Sequence, residues 1–255
     1  MPDMPSGLEN PLALSGVLLI YLLAGMVKGG LGFGLPLTSM ALLPLLVPVD
    51  LALAVNAIML FVTNAYQFLM AGRVGETLRR FWPVVLGVAL GVPVASLFVS
   101  IIDPATMTLV LGLGVAIFAV LTAMQFAIPV RASNERPVGL GIGLLAGVAG
   151  TLTTTNGPIF VAYLVGLKAE RPMMISALGL FLLASGAFIT GSFASLGMVT
   201  GDRLVLAALC VPPAFVGMAV GNAVFRRLPP EAFRRIILAA LFLLGLNLVA
   251  RGLMG

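Results

Sequence analysis

The chain has 255 residues, of which 60% are hydrophobic and only 9% charged. A soluble domain carries about a quarter charged residues, so this composition excludes a solvated globular surface and fits an all-α polytopic membrane protein. The formal net charge of +5 does not point to nucleic acid, because the basic residues sit in short loops between apolar segments, where they act as topology signals.

The N-terminal "MPDMPSGLEN" is acidic, and a cleavable signal peptide, which opens on positive charge, is not expected. Apolar runs and breakers then mark ten segments, near residues 11–28, 36–48, 51–70, 82–101, 105–127, 138–152, 158–167, 172–194, 203–225 and 231–252. Segments 36–48 and 158–167 reach only about 20 Å and about 15 Å as helices, too short to span the bilayer. Each follows a stretch rich in Gly, Thr or Asn and begins at a proline, Pro36 or Pro158, a residue well tolerated in the first turn of a helix. Residues 11–48 and 138–167 therefore read as broken, re-entrant-like helical hairpins. Each enters the membrane, unwinds near the middle and continues as a second half-helix.

The order of broken hairpin, two long helices, tight turn and long helix occurs twice. Residues 1–130 form the first repeat, with helices 51–70, 82–101 and 105–127. Residues 131–255 form the second, with helices 172–194, 203–225 and 231–252, and the whole makes a single membrane domain. Pro36 aligns with Pro158, "NAIMLF" with "SALGLF", and "GVPVASLFVSIIDP" with "GMAVGNAVFRRLPP".

Loops 71–81, 128–137, 168–171 and 226–235 hold eleven of the fourteen Lys and Arg residues, including Arg73, Arg79, Arg80, Arg131, Arg136, Lys168, Arg171, Arg226 and Arg227. Asp3, Asp50, Asp103 and Asp202 fall on the opposite side. By the positive-inside bias the basic loops are cytoplasmic and both termini lie outside. The first hairpin then enters from outside and the second from the cytoplasm. This gives two inverted-topology repeats of five segments, a plan that recurs in secondary transporters.

Two constellations carry chemistry. In "KGGLGFGLP", Gly29, Gly30, Gly32 and Gly34 let the backbone unwind and approach a ligand. Unwound backbone at membrane depth is tolerated only where protein or a watery cavity surrounds it. A helix restarting at Pro36 aims its positive end at the break, which suits an anion. Lys28 adds a full charge and is a functional candidate by default; the alternative is that it snorkels to an interface or pairs with a buried partner. In "AGVAGTLTTTNGP", Thr151, Thr153, Thr154, Thr155 and Asn156, ahead of Gly157, offer neutral donors to oxyanion oxygens. The alternative is that they satisfy backbone groups freed by the break. Asn56, Asn64 and Gln67 on the third segment, with Ser176 in the second half, either line a path or hydrogen-bond helices together.

The motifs "AGMVKGGLGFGLPLTSMALLPLL", "AGVAGTLTTTNGPIFVAYLVGLKAERP" and "GMAVGNAVFRRLPPEAFRRIILAALFLLGL" resemble the TauE/SafE sulfite exporter family. The resemblance covers nearly the full chain. It implies a multi-pass permease of the cell inner or plasma membrane that moves sulfite, thiosulfate or organosulfonates. The family pattern is a glycine-rich run closing on a proline, twice. Gly29, Gly30, Gly32, Gly34 and Pro36 match the first copy, Gly157 and Pro158 the end of the second, and Thr153 to Asn156 stand where more glycine is usual.

The expected function is export of such an anion by alternating access at a midplane site between the breaks. The alternative is a permease or importer for another small organic or inorganic anion. A non-transporting scaffold has no need of two unwound hairpins, and an enzyme lacks a cluster of titratable residues. With no histidine and Cys210 as the single cysteine, an intrachain disulfide is ruled out, and no metal, zinc or haem site or other cofactor is expected. Protons are a candidate coupling partner through Lys28, and a homo-oligomer stays open.

Overall fold

Long apolar runs without charge leave the backbone no partner in lipid but itself, so the chain folds as helices. A computed structural model describes residues 11–99, 101–225 and 230–254; the expectations for Asp3, Arg226 and Arg227 lie outside the described residues. Among the described residues all regular structure is helical. The first half holds α1 (Pro11–Leu31), α2 (Leu35–Leu42, continued by a 3-10 turn, Leu43–Leu45), α3 (Val49–Met70), α4 (Val74–Val99) and α5 (Pro104–Ala123). The second holds α6 (Glu135–Thr153), α7 (Gly157–Gly166), α8 (Arg171–Ser195), α9 (Gly201–Phe225) and α10 (Pro230–Met254). Eight of the ten are long and apolar enough to cross a membrane, and α2 and α7 are the short ones. This is a polytopic membrane protein.

Local chemistry sets the boundaries. α2 starts after Gly34, whose φ of +100° is a left-handed conformation open to glycine, and carries Pro36 in its first turn. α6 ends on Thr154, held left-handed at φ +53°, and α7 restarts with Pro158 in its first turn. The Asp103 carboxylate accepts from the Ala105 and Thr106 amides, 3.0 Å each, and caps α5 ahead of Pro104.

Two boundaries differ from the sequence expectation. α4 begins at Val74, inside the expected loop 71–81, because its polar first turns are tied down by Arg73–Glu76 (2.8 Å) and by Arg80–Glu135 (2.6 Å). α1 runs helical through Lys28, Gly29 and Gly30 to Leu31, so the first break is confined to residues 32–34. Gly29 serves a close approach: a Cβ there would stand 2.1 Å from the Met218 carbonyl oxygen of α9.

The long helices pack in four pairs: α1 along α9, α4 along α6, α5 along α10 and α3 along α8. Glycines one helical turn apart make two of these seams. Gly217 and Gly221 set α9 on Leu22 and Met26 of α1, and Gly87 and Gly91 set α4 on Leu140 and Leu144 of α6, with no room for a Cβ at any of the four. Lipid offers little drive for helix association, so close backbone contact through small residues supplies it. Leu113, Leu243 and Leu246 stay exposed on the outer faces, where a bilayer solvates them.

Candidate functional site

Among the described residues Lys28 is the one charged residue in the buried core, 1% exposed. Its ammonium donates to the Asn64 side-chain oxygen on α3. No carboxylate pairs with it: the ion pairs among the described residues are Arg73–Glu76, Arg80–Glu135 and Arg203–Asp50 (2.5 Å). A buried ion without a counter-ion is costly, so a single neutral acceptor leaves the ammonium with unmet demand for negative charge.

Lys28 borders a cavity of about 540 Å³. Gly29, Gly30, Gly32 and Phe33 form the wall on the first break. Tyr66 and Gln67 come from the end of α3, Arg171 and Met174 from the start of α8, and Phe215, Met218, Ala219 and Asn222 from α9. The described lining has two cations and no acidic side chain. Neither Lys28 nor Arg171 has an anionic partner among the described residues.

Of the residues singled out in the sequence, Lys28, Gly29, Gly30, Gly32 and Gln67 meet at this cavity. Gly34 does not line it and serves as the cap of α2. Asn64 acts behind it as the support of Lys28. Asn56 accepts from Ser39 (2.6 Å) and donates to Thr154 Oγ1 (2.7 Å), which ties α2 and α3 to the second break. Ser176 bonds Thr77 at 2.7 Å and joins α8 to α4.

The second break stands apart from the cavity, and its donors are already engaged. Thr151 donates to Gly147 O (2.8 Å), Thr153 to Ala149 O (2.7 Å), Thr154 to Thr153 O (2.7 Å) and Thr155 to Thr153 Oγ1 (2.8 Å). The Asn156 amide donates to Ala146 O (3.2 Å) and Ser185 Oγ (2.9 Å). Its carbonyl oxygen is buried without a hydrogen-bond partner, and an oxygen acceptor does not attract an anion. Thr151 and Thr153 bond back to carbonyls one turn earlier in α6, and Thr154 satisfies a carbonyl at the helix end. The two breaks still touch, because the Phe33 ring lies against Gly157, 3.4 Å from where a Cβ would stand.

A charged, carboxylate-free pocket on a broken hairpin suits capture of an anion, and the family description matching residues 17–248 is sulfite exporter TauE/SafE. The chain belongs to the TauE/SafE family. The match spans both breaks and every cavity-lining residue named above. TauE/SafE proteins are membrane exporters of sulfite-type anions and not enzymes. No curated protein and no solved structure matches the chain.

Arg171, Asn222, Phe33 and Tyr66 are cavity residues that sequence reasoning did not select. In the sequence Arg171 reads as part of a topology loop, and Asn222 sits within "GMAVGNAVF". An amide in the apolar run of α9 was the available signal.

Proposed function

We propose that the protein exports sulfur-containing anions such as sulfite, thiosulfate or organosulfonates from the cytoplasm by alternating access around Lys28. The observation that carries this reading is the buried Lys28, without a carboxylate, opening on a cavity whose second charge is Arg171. The bound anion takes its charge-assisted hydrogen bonds from these two cations. Gly32, with open space where a Cβ would stand, permits close approach, Asn222 supplies an amide donor, and Gln67, which donates to Ile175 O at 3.3 Å, keeps a second amide hydrogen. The Thr153–Asn156 stretch shapes the second break and does not touch the anion in this state.

The inverted-repeat reading, with residues 1–130 facing 131–255, is supported by the helix pairing. Exchanging each helix for the one five places later turns α4–α6 into α9–α1 and returns α3–α8 and α5–α10 to themselves. With the basic loops cytoplasmic and both termini outside, the Lys28 cavity faces the cytoplasm. Membrane potential alone then drives export, by about 2.3 kcal/mol per negative charge per 100 mV, so a coupling proton is not required.

Flux of sulfite and thiosulfate into and out of proteoliposomes tests the reading. Saturable flux above that of empty vesicles, accelerated by a potential that repels the anion from its own compartment, is expected. Flux no greater than in empty vesicles contradicts it.

A further inference from the structure

A second crevice of about 540 Å³ lies between the C-terminal halves of α4 and α8. Its α4 wall is Ala89, Val92, Pro93, Ser96 and Leu97, and its α8 wall includes Ala187, Gly191 and Ser192. The register that aligns "GVPVASLFVSIIDP" with "GMAVGNAVFRRLPP" pairs four of the five α4 wall residues with the α9 wall of the Lys28 cavity, and Leu97 falls on Ala223, outside that wall. Ala89 falls on Phe215, Val92 on Met218, Pro93 on Ala219 and Ser96 on Asn222. The register that aligns "NAIMLF" with "SALGLF" places Ala187 on Gln67, the one pair of lining residues that coincides along α8 and α3.

The surroundings correspond as well. Met218 backs the Lys28 cavity and meets Gly29 of α1, the helix that carries the first break. Val92 backs the α4–α8 crevice and meets Gly147 of α6, the helix that carries the second. The chemistry differs. The first cavity holds Lys28 and Arg171, whereas the described lining of the second holds hydroxyls and apolar groups with no charge. Ser96 and Ser192 hydrogen-bond to each other across it, and Ser96 also donates to Val92 O (2.7 Å).

We infer that the α4–α8 crevice is the outer half of the anion path, with the Ser96–Ser192 contact reaching across it between α4 and α8. This rests on the export reading above. An anion taken up beside two cations leaves past neutral hydroxyls, which hold it weakly, and weak holding favours release. Rocking of one repeat against the other exchanges which crevice is open.

The test is Ser192→Cys, treated in intact expressing cells with a membrane-impermeant maleimide and then purified and reconstituted. Cys210, the only native cysteine, is buried, so wild type serves as the unreactive control. Ile101→Cys, on an exposed turn beyond α4, serves as the control for labelling alone. The thiol at 192 is expected to react and sulfite flux to fall at least tenfold. The sulfite-induced thermal shift of the labelled protein stays as in wild type, because the Lys28 cavity is intact, and labelled Ile101→Cys keeps its flux. Full flux from labelled Ser192→Cys overturns the inference. So does a thiol at 192 that stays unreacted, because an exit must admit an aqueous solute. Absence of flux from untreated wild type is a separate result, and it overturns the export reading and this one together.

Discussion

At the scale of single residues, the site depends on a cation whose partner is an amide. Asn64 accepts from Lys28 and donates from its own amide to Leu60 O at 2.7 Å, so its orientation is fixed by α3. Hydrogen bonds to charged groups contribute about 1.5–3 kcal/mol, or roughly ten- to a hundredfold in affinity. Asn64→Ala is therefore expected to raise the KM for sulfite about tenfold or more, with the protein still folded, as measured by initial flux over a concentration series. An unchanged KM means that Asn64 does not position the ammonium. Lys28 and Gly32 were legible in sequence because a charge and clustered glycines stand out in an apolar run. Arg171 and Asn222 were not, because their membership of the site depends on where α8 and α9 pack against α1. The hydroxyls of Thr153 to Thr155 were legible as polar, but whether they face a ligand or their own helix end is settled by local geometry that composition does not encode.

At the scale of elements, apolar run length and proline position located all ten helices, and the misjudged boundaries have specific causes. The start of α4 was hidden because charged residues read as loop, when ion pairs to Glu76 and Glu135 hold them in a helix. Gly29 and Gly30 read as breakers, yet Gly29 lies in a helix seam where a side chain has no room. The seams give a sharp contrast. A Cβ at Gly221 would stand 2.1 Å from the Met26 carbonyl oxygen, whereas nothing lies within 4 Å of one at Gly141. Gly221→Val is expected to destabilise by at least about 2 kcal/mol, as overpacking does, and Gly141→Ala to have little effect, read as thermal midpoints in one detergent. Equal midpoints for the two variants contradict the seam.

At the scale of the molecule, the helix pairing is symmetric and the charge is not. Helix pairing repeats under exchange of the halves, and four lining residues of α4 fall on four lining residues of α9. The charge does not repeat: Lys28 and Arg171 line one crevice and no charge is seen in the other. The proposed repeat rests in the sequence on a short segment restarting at a proline in each half. Which helices pair was not visible there, since glycines occur throughout and only the folded chain shows which of them meet backbone.

Sulfite flux through Lys28→Gln, beside wild type in the same vesicles, tests the central claim most directly. Glutamine keeps a side-chain donor and removes the charge. The account predicts at least a tenfold loss of flux, with a thermal midpoint no lower than that of wild type, since an uncompensated buried charge has been removed. Flux equal to wild type would contradict it, because the anion would then cross without the charge that is held to capture it.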